Sequence, residues 1–247
     1  ALAEVKPYVI IAVPLVIEKI YKTKVKPILE KEGVKFLMKL PVLNHIVMDK
    51  VREELVKAFG GEFYEVIIGG AAFNTEVEAF FKRIGFPFTV GYGMTECAPI
   101  ITYDDWKEEK LYSCGKPAPN MEVKICSKDP ENLPGEILVK GSNVFLGYYK
   151  NEEATAEEFT EDGWFRTGDM GIIDADGCLF IKGRAKCMIL GPSGQNIYPE
   201  EVETVLNSQP YVVDSLVIED NGGLTALIYP DFFQGSKDGI RQRDFQS

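Results

Sequence analysis

The sequence predicts an α/β protein: a parallel-sheet large domain with a β-rich subdomain, followed by a small α+β domain. Three observations support this fold class. A strand–helix–strand pattern covers residues 65–90, and short β segments separated by turn residues follow over 111–182. A helix and a hairpin then follow. We place the domain boundary after residue 185, which gives domains 1–185 and 186–247.

The first 60 residues are predicted to be mainly helical, with breaks at Pro27 and Pro41. Residues 8–17 are apolar and predict a buried strand that enters a helix with Pro14 at its first position. This apolar run is far shorter than the ~20 residues that a membrane-spanning helix requires. A further helix over 48–59 carries apolar side chains on one face and ends at a glycine.

The strand–helix–strand pattern begins with the apolar segment 65–68, which ends in glycines. Asn74 suits a helix N-cap, and an apolar stripe at helical spacing over 77–84 ends at Gly85. A crossover of this kind joins parallel strands. Both strand ends therefore lie at the carboxyl edge of one sheet, where the ligands of open α/β sheets bind.

Two glycine-bearing segments, 69–72 and 91–96, lie at this edge. Gly93 allows the backbone to approach a ligand closely, and Tyr92 offers a ring face. Thr95 supplies a hydroxyl group and Glu96 a hard anionic oxygen, which suits Mg²⁺ carried on phosphates. The second segment alone could be a strand-ending turn, but two such segments side by side favour a binding crevice.

The later elements follow from turn chemistry. Residues 174–177 predict the turn of one hairpin, and Asn221–Gly222 that of a second hairpin across 212–229. Residues 199–206 predict a helix that begins with proline. The polar residues from 232 to 247 carry no pattern.

Composition limits the classes of partner. The net charge of −11 disfavours a nucleic-acid surface, because duplex binding depends on Lys and Arg neutralising phosphates. Five cysteines without CxxC spacing favour reduced thiols and a cytoplasmic location. Neither a signal peptide nor a membrane span is expected. Four lysines favour a solvated helix face and leave peripheral membrane contact open as an alternative: Lys19, Lys22, Lys24 and Lys26.

The ordered set of motifs resembles the adenylate-forming superfamily, in particular the AMP-forming acyl-CoA synthetases of the long-chain type. The resemblance extends from Val13 to about Pro230, nearly the whole chain. One such motif would be weak support, whereas many in family order are specific. The matching segments are 69–72, 92–96, 113–117, 135–141, 147–149, 163–169, 183–186 and 196–203.

The resemblance implies roles for the residues of the two strand ends. Glu96 is implied to ligate Mg²⁺, and Thr95 to hydrogen-bond near the α-phosphate; both are assigned as catalytic. Tyr92 is implied to lie against adenine. The other nucleotide-binding residues implied for this region are Gly70, Ala71 and Ala72, on the opposite side of the base, and Gly93 of the aromatic motif.

Further roles are implied for residues more than 70 positions downstream. Asp169 is expected to accept hydrogen bonds from the ribose hydroxyls, and Arg184 to donate to the ribose or phosphate. Ile181 is expected near the base. Asp169 could instead be a turn residue and Arg184 part of a surface ion pair. Lys186 matches the family's hinge position, about which the resemblance implies that the small, mobile domain rotates between two half-reactions. Beside it, Cys187 stands where many relatives carry an acid.

The implied activity is that of an acid–thiol ligase: ATP-dependent activation of a fatty acid to acyl-AMP and then, with coenzyme A, to acyl-CoA. An adenylating ligase that loads a carrier protein or an aryl acid, or a non-catalytic relative, are the alternatives. The family's phosphate loop is expected before residue 1 and its C-terminal lysine beyond residue 247. This chain alone is therefore expected to be inactive. Oligomeric state and acyl chain length stay open.

Overall fold

A computed structural model describes residues 2–191 and 193–240. Pro192 and residues 241–247 of the predicted small domain lie outside the described residues, as does Ala1. A π-helical turn, Tyr21–Val25, and two 3₁₀ turns, Thr95–Cys97 and Ala185–Cys187, accompany the α-helices and strands. The described α-helices are α1 (Leu2–Val5), α2 (Pro14–Ile20), α3 (Lys26–Leu29), α4 (Glu32–Met38), α5 (Pro41–Ala58), α6 (Thr75–Ile84), α7 (Glu152–Glu158), α8 (Pro199–Asn207) and α9 (Phe232–Lys237).

The described strands form one parallel and several antiparallel sheets. They are β1 (Val9–Ala12), β2 (Glu65–Ile68), β3 (Phe88–Val90), β4 (Tyr92–Gly93), β5 (Ile100–Tyr103), β6 (Lys116–Pro117), β7 (Met121–Cys126), β8 (Gly135–Gly141), β9 (Phe165–Ile173), β10 (Leu179–Arg184), β11 (Ile189–Leu190), β12 (Asn196–Ile197), β13 (Val212–Asp220) and β14 (Gly223–Pro230). The predicted α/β fold class is confirmed.

The parallel sheet has the strand order β1-β2-β3, with Val66 opposite both Ile10 and Phe88. Helix α6 connects β2 to β3 in the predicted strand–helix–strand unit. Phe81 of α6 is fully buried and packs edge-on against Phe88, with the two ring centroids 5.8 Å apart. These aromatic rings hold α6 against the sheet and so set where the strand ends lie.

Both predicted caps of α6 are present. The Asn74 side chain accepts the backbone N–H groups of Glu76 and Val77 at 3.0 and 3.1 Å, which satisfies two donors that the first helical turn leaves free. Gly85 ends the helix with φ 66°, in the left-handed region. Asn74 and Gly85, both predicted from the sequence as caps, therefore determine where α6 begins and ends.

The β-rich subdomain is an antiparallel sheet of order β10-β9-β8-β7. It packs its own core around Ile137, Val139 and Leu179, all fully buried. The predicted hairpin joins β9 to β10, with Ile173 opposite Leu179. Helix α7, absent from the prediction, begins where Asn151 accepts the N–H of Ala154 at 3.1 Å.

Three sequence-based predictions are wrong in detail. Strand β1 is exposed on one face, with Ile11 77% exposed, because no described element covers that face. The break predicted at Pro27 takes the form of a π-helical turn, Tyr21–Val25, after which α3 begins with Pro27 in its first turn, so the chain stays helical through this position. The region predicted to lack pattern contains α9, which Asp231 caps by accepting the Gln234 N–H at 2.9 Å.

The segment after the predicted boundary contains α8 and the hairpin β13–β14, both as predicted. Glu203 of α8 accepts the N–H of Val217 at 2.7 Å and joins the helix to the hairpin. Lys182 of β10 pairs with Glu201 of α8 at 3.0 Å. Across the described ranges, no helix is both long enough and apolar enough to span a bilayer.

A buried carboxyl group links α6 to the loop before β6. Glu78 is 3% exposed and accepts the N–H of Tyr112 at 2.5 Å. Burial raises the pKa of Glu78 to about 7; the neighbouring Glu109 also raises it, while the Tyr112 N–H and Lys82 lower it. Ionisation of Glu78 therefore opposes folding.

We predict that Glu78→Gln flattens the pH dependence of stability. The folded-state pKa of Glu78 lies above the ordinary carboxyl value of 4.5, so its stabilising contribution is full below about pH 4.5 and is lost as pH rises through about 7. The free energy of unfolding, measured in urea from pH 5 to 8, should fall more for the wild type than for Glu78→Gln. The exposed Glu157→Gln is the control; equal slopes for both variants would contradict the prediction.

Candidate functional site

The two predicted glycine segments meet at the carboxyl edge of the parallel sheet. The Gly91 N–H donates to the Ile68 carbonyl at 2.9 Å. A Cβ atom on Gly69 would lie 2.9 Å from the Gly91 carbonyl oxygen, closer than real side chains approach. Gly70 has φ 89°, which favours glycine, and leads into the exposed Ala71. The sequence prediction that these segments lie side by side is confirmed.

The turn after Tyr92 depends on a second glycine. A Cβ atom on Gly93 would lie 1.8 Å from the Pro99 carbonyl oxygen, so no side chain fits there. The Asn143 amide donates to the carbonyls of Cys97 and Ile100, both at 2.8 Å. These contacts fix the loop that carries Thr95 and Glu96.

A buried carboxylate lies where three strands meet. Asp169 of β9 is 6% exposed, and its Oδ2 accepts the Tyr92 hydroxyl at 2.6 Å. Its Oδ1 pairs with the Arg184 Nε at 2.9 Å, while the Arg184 side chain stays 60% exposed. Ile181 packs against the same core cluster as Tyr92. Four predicted nucleotide-binding residues thus lie together in the structure.

The charges in this cluster shift the pKa values of its members. Burial raises the pKa of Asp169, while the Tyr92 hydroxyl and the Arg184 guanidinium lower it. Burial, with the Asp169 carboxylate beside it, raises the pKa of Tyr92 far above its ordinary value. Tyr92 is therefore a neutral donor at physiological pH, and its hydrogen bond favours the ionised form of Asp169.

Glu96 lies on the loop after Tyr92. Its Oε1 accepts the Tyr148 hydroxyl at 3.1 Å, and its backbone carbonyl accepts the Phe145 N–H at 2.7 Å. Its other carboxylate oxygen makes no hydrogen bond or ion pair within the described residues. Thr95 is exposed beside it. Both side chains can therefore receive a ligand from solvent.

The remaining predicted positions lie at the end of β10. Lys186 is exposed on the 3₁₀ turn that follows Arg184, between the β-rich subdomain and α8. A cavity of about 750 Å³ lies elsewhere, among the N-terminal helices and α6, where Phe36 and Phe80 line it. None of the predicted nucleotide-binding residues lines this cavity. They lie instead after β2, in and just after β4, and on β9 and β10.

The sequence does not predict two contacts that the structure shows to the Glu96 loop. Tyr148 belongs to one of the family motifs, which assigns it no contact with Glu96, and Asn143 lies in none of the motifs. Their sequence separations from the groups they contact are 52 residues for Tyr148 and 46 for Asn143 with Cys97. Only an alignment of relatives could have signalled such pairs; local periodicity cannot.

The donors present suit a metal that arrives with its ligand. Throughout residues 2–191 and 193–240, no group of three or more His, Cys, Asp or Glu side chains could hold a metal ion. One carboxylate together with substrate phosphates is the usual arrangement for Mg²⁺. Glu96, with one oxygen uncommitted, fits that arrangement.

The sequence profile described as AMP-binding enzyme matches residues 2–149, more than half of the chain. The chain belongs to the AMP-binding enzyme family. The long-chain-fatty-acid–CoA ligases FadD15 of Mycobacterium bovis and Mycobacterium tuberculosis are each 32% identical over 262 residues. Each alignment covers 96% of this chain and 42% of the relative, so this chain spans less than half the length of these ligases.

Solved structures of adenylate-forming enzymes share the fold. The ATP-bound RpMatB-BxBclM chimera B1 superposes with a TM-score of 0.69 at 27% identity, over 93% of this chain and 42% of the chimera. O-succinylbenzoate coenzyme A synthetase from Bacillus subtilis, in complex with ATP and magnesium ion, gives a TM-score of 0.64 at 30% identity. That match covers 78% of this AMP-binding family member and 44% of the synthetase.

We predict that Gly93→Ala lowers the free energy of unfolding by roughly 1–3 kcal/mol or more, because the new methyl group meets the Pro99 carbonyl. The measurement is urea denaturation followed by tryptophan fluorescence. Gly33→Ala is the matched control: its Cβ atom would meet nothing within 4 Å. Since alanine favours helix more than glycine, Gly33→Ala in α4 should be neutral or stabilising. Equal destabilisation by both variants would refute this explanation.

Proposed function

We propose that the complete protein containing this chain is an AMP-forming acid–thiol ligase that activates a long-chain fatty acid. The overall reaction uses ATP and coenzyme A and gives acyl-CoA, AMP and pyrophosphate. One observation carries the proposal: Tyr92 and Arg184 both contact the Asp169 carboxylate, and Tyr92 directly follows a glycine-bearing strand end. The 32% identity to long-chain-fatty-acid–CoA ligases across nearly the whole chain supports the acyl class.

The first half-reaction brings together two anions, a carboxylate and the α-phosphate of ATP. The substrate carboxylate oxygen attacks phosphorus, and the bond to pyrophosphate breaks. Charge neutralisation and alignment, and not covalent catalysis, are therefore the main tasks of the site. Mg²⁺ bound to the phosphates would supply part of the neutralisation, with Glu96 holding it through the uncommitted oxygen. Thr95, exposed beside Glu96, would donate to the same phosphate region.

The nucleoside is held by the cluster around Asp169. The Asp169 carboxylate accepts the ribose hydroxyls, because an ionised carboxylate offers up to four lone-pair sites and only two are used here. The Tyr92 ring lies against adenine, opposite the exposed edge at Gly70, Ala71 and Ala72. Arg184, largely exposed, is free to turn toward the ribose or phosphate when nucleotide enters.

The second half-reaction uses the thiolate of coenzyme A, which attacks the acyl carbon and releases AMP. We propose that the segment after Lys186 rotates between the two steps, so that a different face of it covers the crevice. Two polar contacts join that segment to β10, in addition to the close approach of Gly183 to Tyr198: Lys182 with Glu201, and the Arg184 N–H with Glu200 at 3.3 Å. Both involve exposed or half-exposed polar groups, which can separate at low cost.

A second candidate substrate class is an aryl acid. The 2-succinylbenzoate–CoA ligase of Bacillus licheniformis is 42% identical to this chain over 155 residues. This identity is higher than the 32% of the long-chain ligases, but the alignment covers only 61% of this chain. The long-chain class is favoured because its alignment covers 96% of the chain.

The decisive experiment measures acyl-CoA formation by the complete gene product. We expect ATP- and Mg²⁺-dependent formation of palmitoyl-CoA, with little turnover of 2-succinylbenzoate. A preference for 2-succinylbenzoate would contradict the long-chain class and support the aryl acids. Acylation of a carrier protein in place of coenzyme A would contradict the proposal that coenzyme A is the acceptor. The 247-residue chain, which spans 42% of its ligase relatives, is expected to form no acyl-CoA by itself.

We predict that Glu96→Ala in the complete protein slows fatty-acid-dependent exchange of pyrophosphate into ATP by roughly a hundredfold, because one source of charge stabilisation is lost. The rate should recover in part at high Mg²⁺ concentration. Glu157→Ala, an exposed carboxylate on α7, is the control. An unchanged exchange rate for Glu96→Ala would remove this residue from the site.

A further inference from the structure

The Tyr92 hydroxyl has a partner that its proposed stacking role does not require. A ring that lies against a base needs only its face, yet the hydroxyl of Tyr92 lies 2.6 Å from the Asp169 Oδ2. The two residues are 77 positions apart and come from different sheets. This contact joins the small antiparallel sheet β4-β5-β6, which follows directly from the parallel sheet, to the β-rich subdomain.

The Asp169 side chain has few other means of orientation. Its own N–H donates to the Thr167 hydroxyl at 3.1 Å, and Thr167 in turn donates to the Ile137 carbonyl at 2.8 Å. These contacts fix the backbone of Asp169 and do not involve its carboxylate. Arg184, 60% exposed on a long side chain, is a weak positional restraint. Tyr92, partly buried and ring-packed, is the rigid donor.

We propose that Tyr92 is a positioning residue for Asp169: its hydroxyl aims the carboxylate at the ribose, in addition to any contact between its ring and the base. The inference rests on the proposed function. Of the four lone-pair sites of the carboxylate, Tyr92 and Arg184 take one each. Two remain, one for each ribose hydroxyl.

Electrostatics gives this arrangement a measurable signature. The charged and titratable groups that face Asp169 are Tyr92, Arg184 and Glu200. Tyr92 and Arg184 favour the ionised carboxylate, whereas burial and Glu200 disfavour it. Loss of the Tyr92 hydroxyl therefore raises the pKa of Asp169 further. Nucleotide affinity needs the ionised form of Asp169. As pH is lowered, the variant should therefore lose affinity at a higher pH than the wild type does.

The experiment measures the affinity of the complete gene product for AMP by calorimetry from pH 5 to 8. Tyr92→Phe keeps the ring and removes the hydroxyl. We expect about tenfold weaker binding near pH 7, the size of one lost hydrogen bond to a charged group, and an acid-side loss of affinity that begins at higher pH. In an Asp169→Ala background, Tyr92→Phe should cause no further loss, because the group it positions is gone.

Tyr64→Phe is the matched control, since Tyr64 also donates to a carboxylate, that of Asp105, away from this site. It should leave AMP affinity unchanged at every pH. Replacement of Tyr92 by 3-fluorotyrosine, a stronger donor of similar size, should move the acid-side loss to lower pH. This second variant keeps the test valid if Tyr92→Phe fails to fold.

The outcomes separate the inference from the proposed function. If the wild-type protein binds AMP and Tyr92→Phe has an unchanged affinity, or a loss that is equal at all pH values, the positioning role is overturned and the proposed function stands. A Tyr92→Phe loss that persists undiminished in the Asp169→Ala background also overturns it. If the wild-type protein does not bind AMP, both are overturned.

Discussion

The structure around the site depends on one buried charge. Asp169 lies at 6% exposure inside the junction of three strands, where an unpaired carboxylate would be costly. It is tolerated because the Tyr92 hydroxyl and the Arg184 guanidinium reach it from other strands. Satisfaction of this charge therefore constrains how β4, the strand that follows the parallel sheet, lies against β9 and β10 of the β-rich subdomain. The same constraint leaves two acceptor sites available to a ligand.

Glycine makes that junction sterically feasible. Gly93 passes against the Pro99 carbonyl, and Gly115 passes against the backbone of Tyr103, where a Cβ atom would lie 2.4 Å away. Between them, the segment before β6 pairs with β10, since the Cys114 N–H donates to the Leu179 carbonyl at 2.7 Å. Backbone thus packs on backbone within the β4-β5-β6 sheet, which carries Tyr92, and the Cys114 hydrogen bond joins this sheet to the β-rich subdomain.

The site lies at the seam between two hydrophobic cores. One core joins the N-terminal helices, α6 and the parallel sheet, and the other fills the β-rich subdomain. Tyr92 packs against the second core although it follows directly from the parallel sheet. The proposed nucleotide site lies at this seam, where the local donors matter more to an anionic ligand than the net charge of −11. The carboxylates there contact hydroxyl donors or a cation: Asp169 contacts Tyr92 and Arg184, and Glu96 contacts Tyr148.

The sequence alone determined the elements whose causes are local. The α6 caps at Asn74 and Gly85, the strand–helix–strand order and the two hairpin turns follow from chemistry within a few residues, and the structure confirms them. Family motifs added the candidate site residues, of which Tyr92, Asp169, Ile181 and Arg184 lie together. Their roles stay proposals. The placement of the hinge at Lys186 and the domain boundary after residue 185 also stay predictions.

Tertiary structure alone decided the contacts that depend on long-range geometry. The Tyr92–Asp169 hydrogen bond and the Tyr148–Glu96 contact join residues 77 and 52 positions apart, and no local pattern encodes such a distance. The exposed face of β1 was mispredicted for the same reason: an apolar run specifies that side chains favour burial, but neighbours in space decide whether anything covers them. Local propensity acts over a few residues, whereas burial and charge pairing are properties of the whole packed chain.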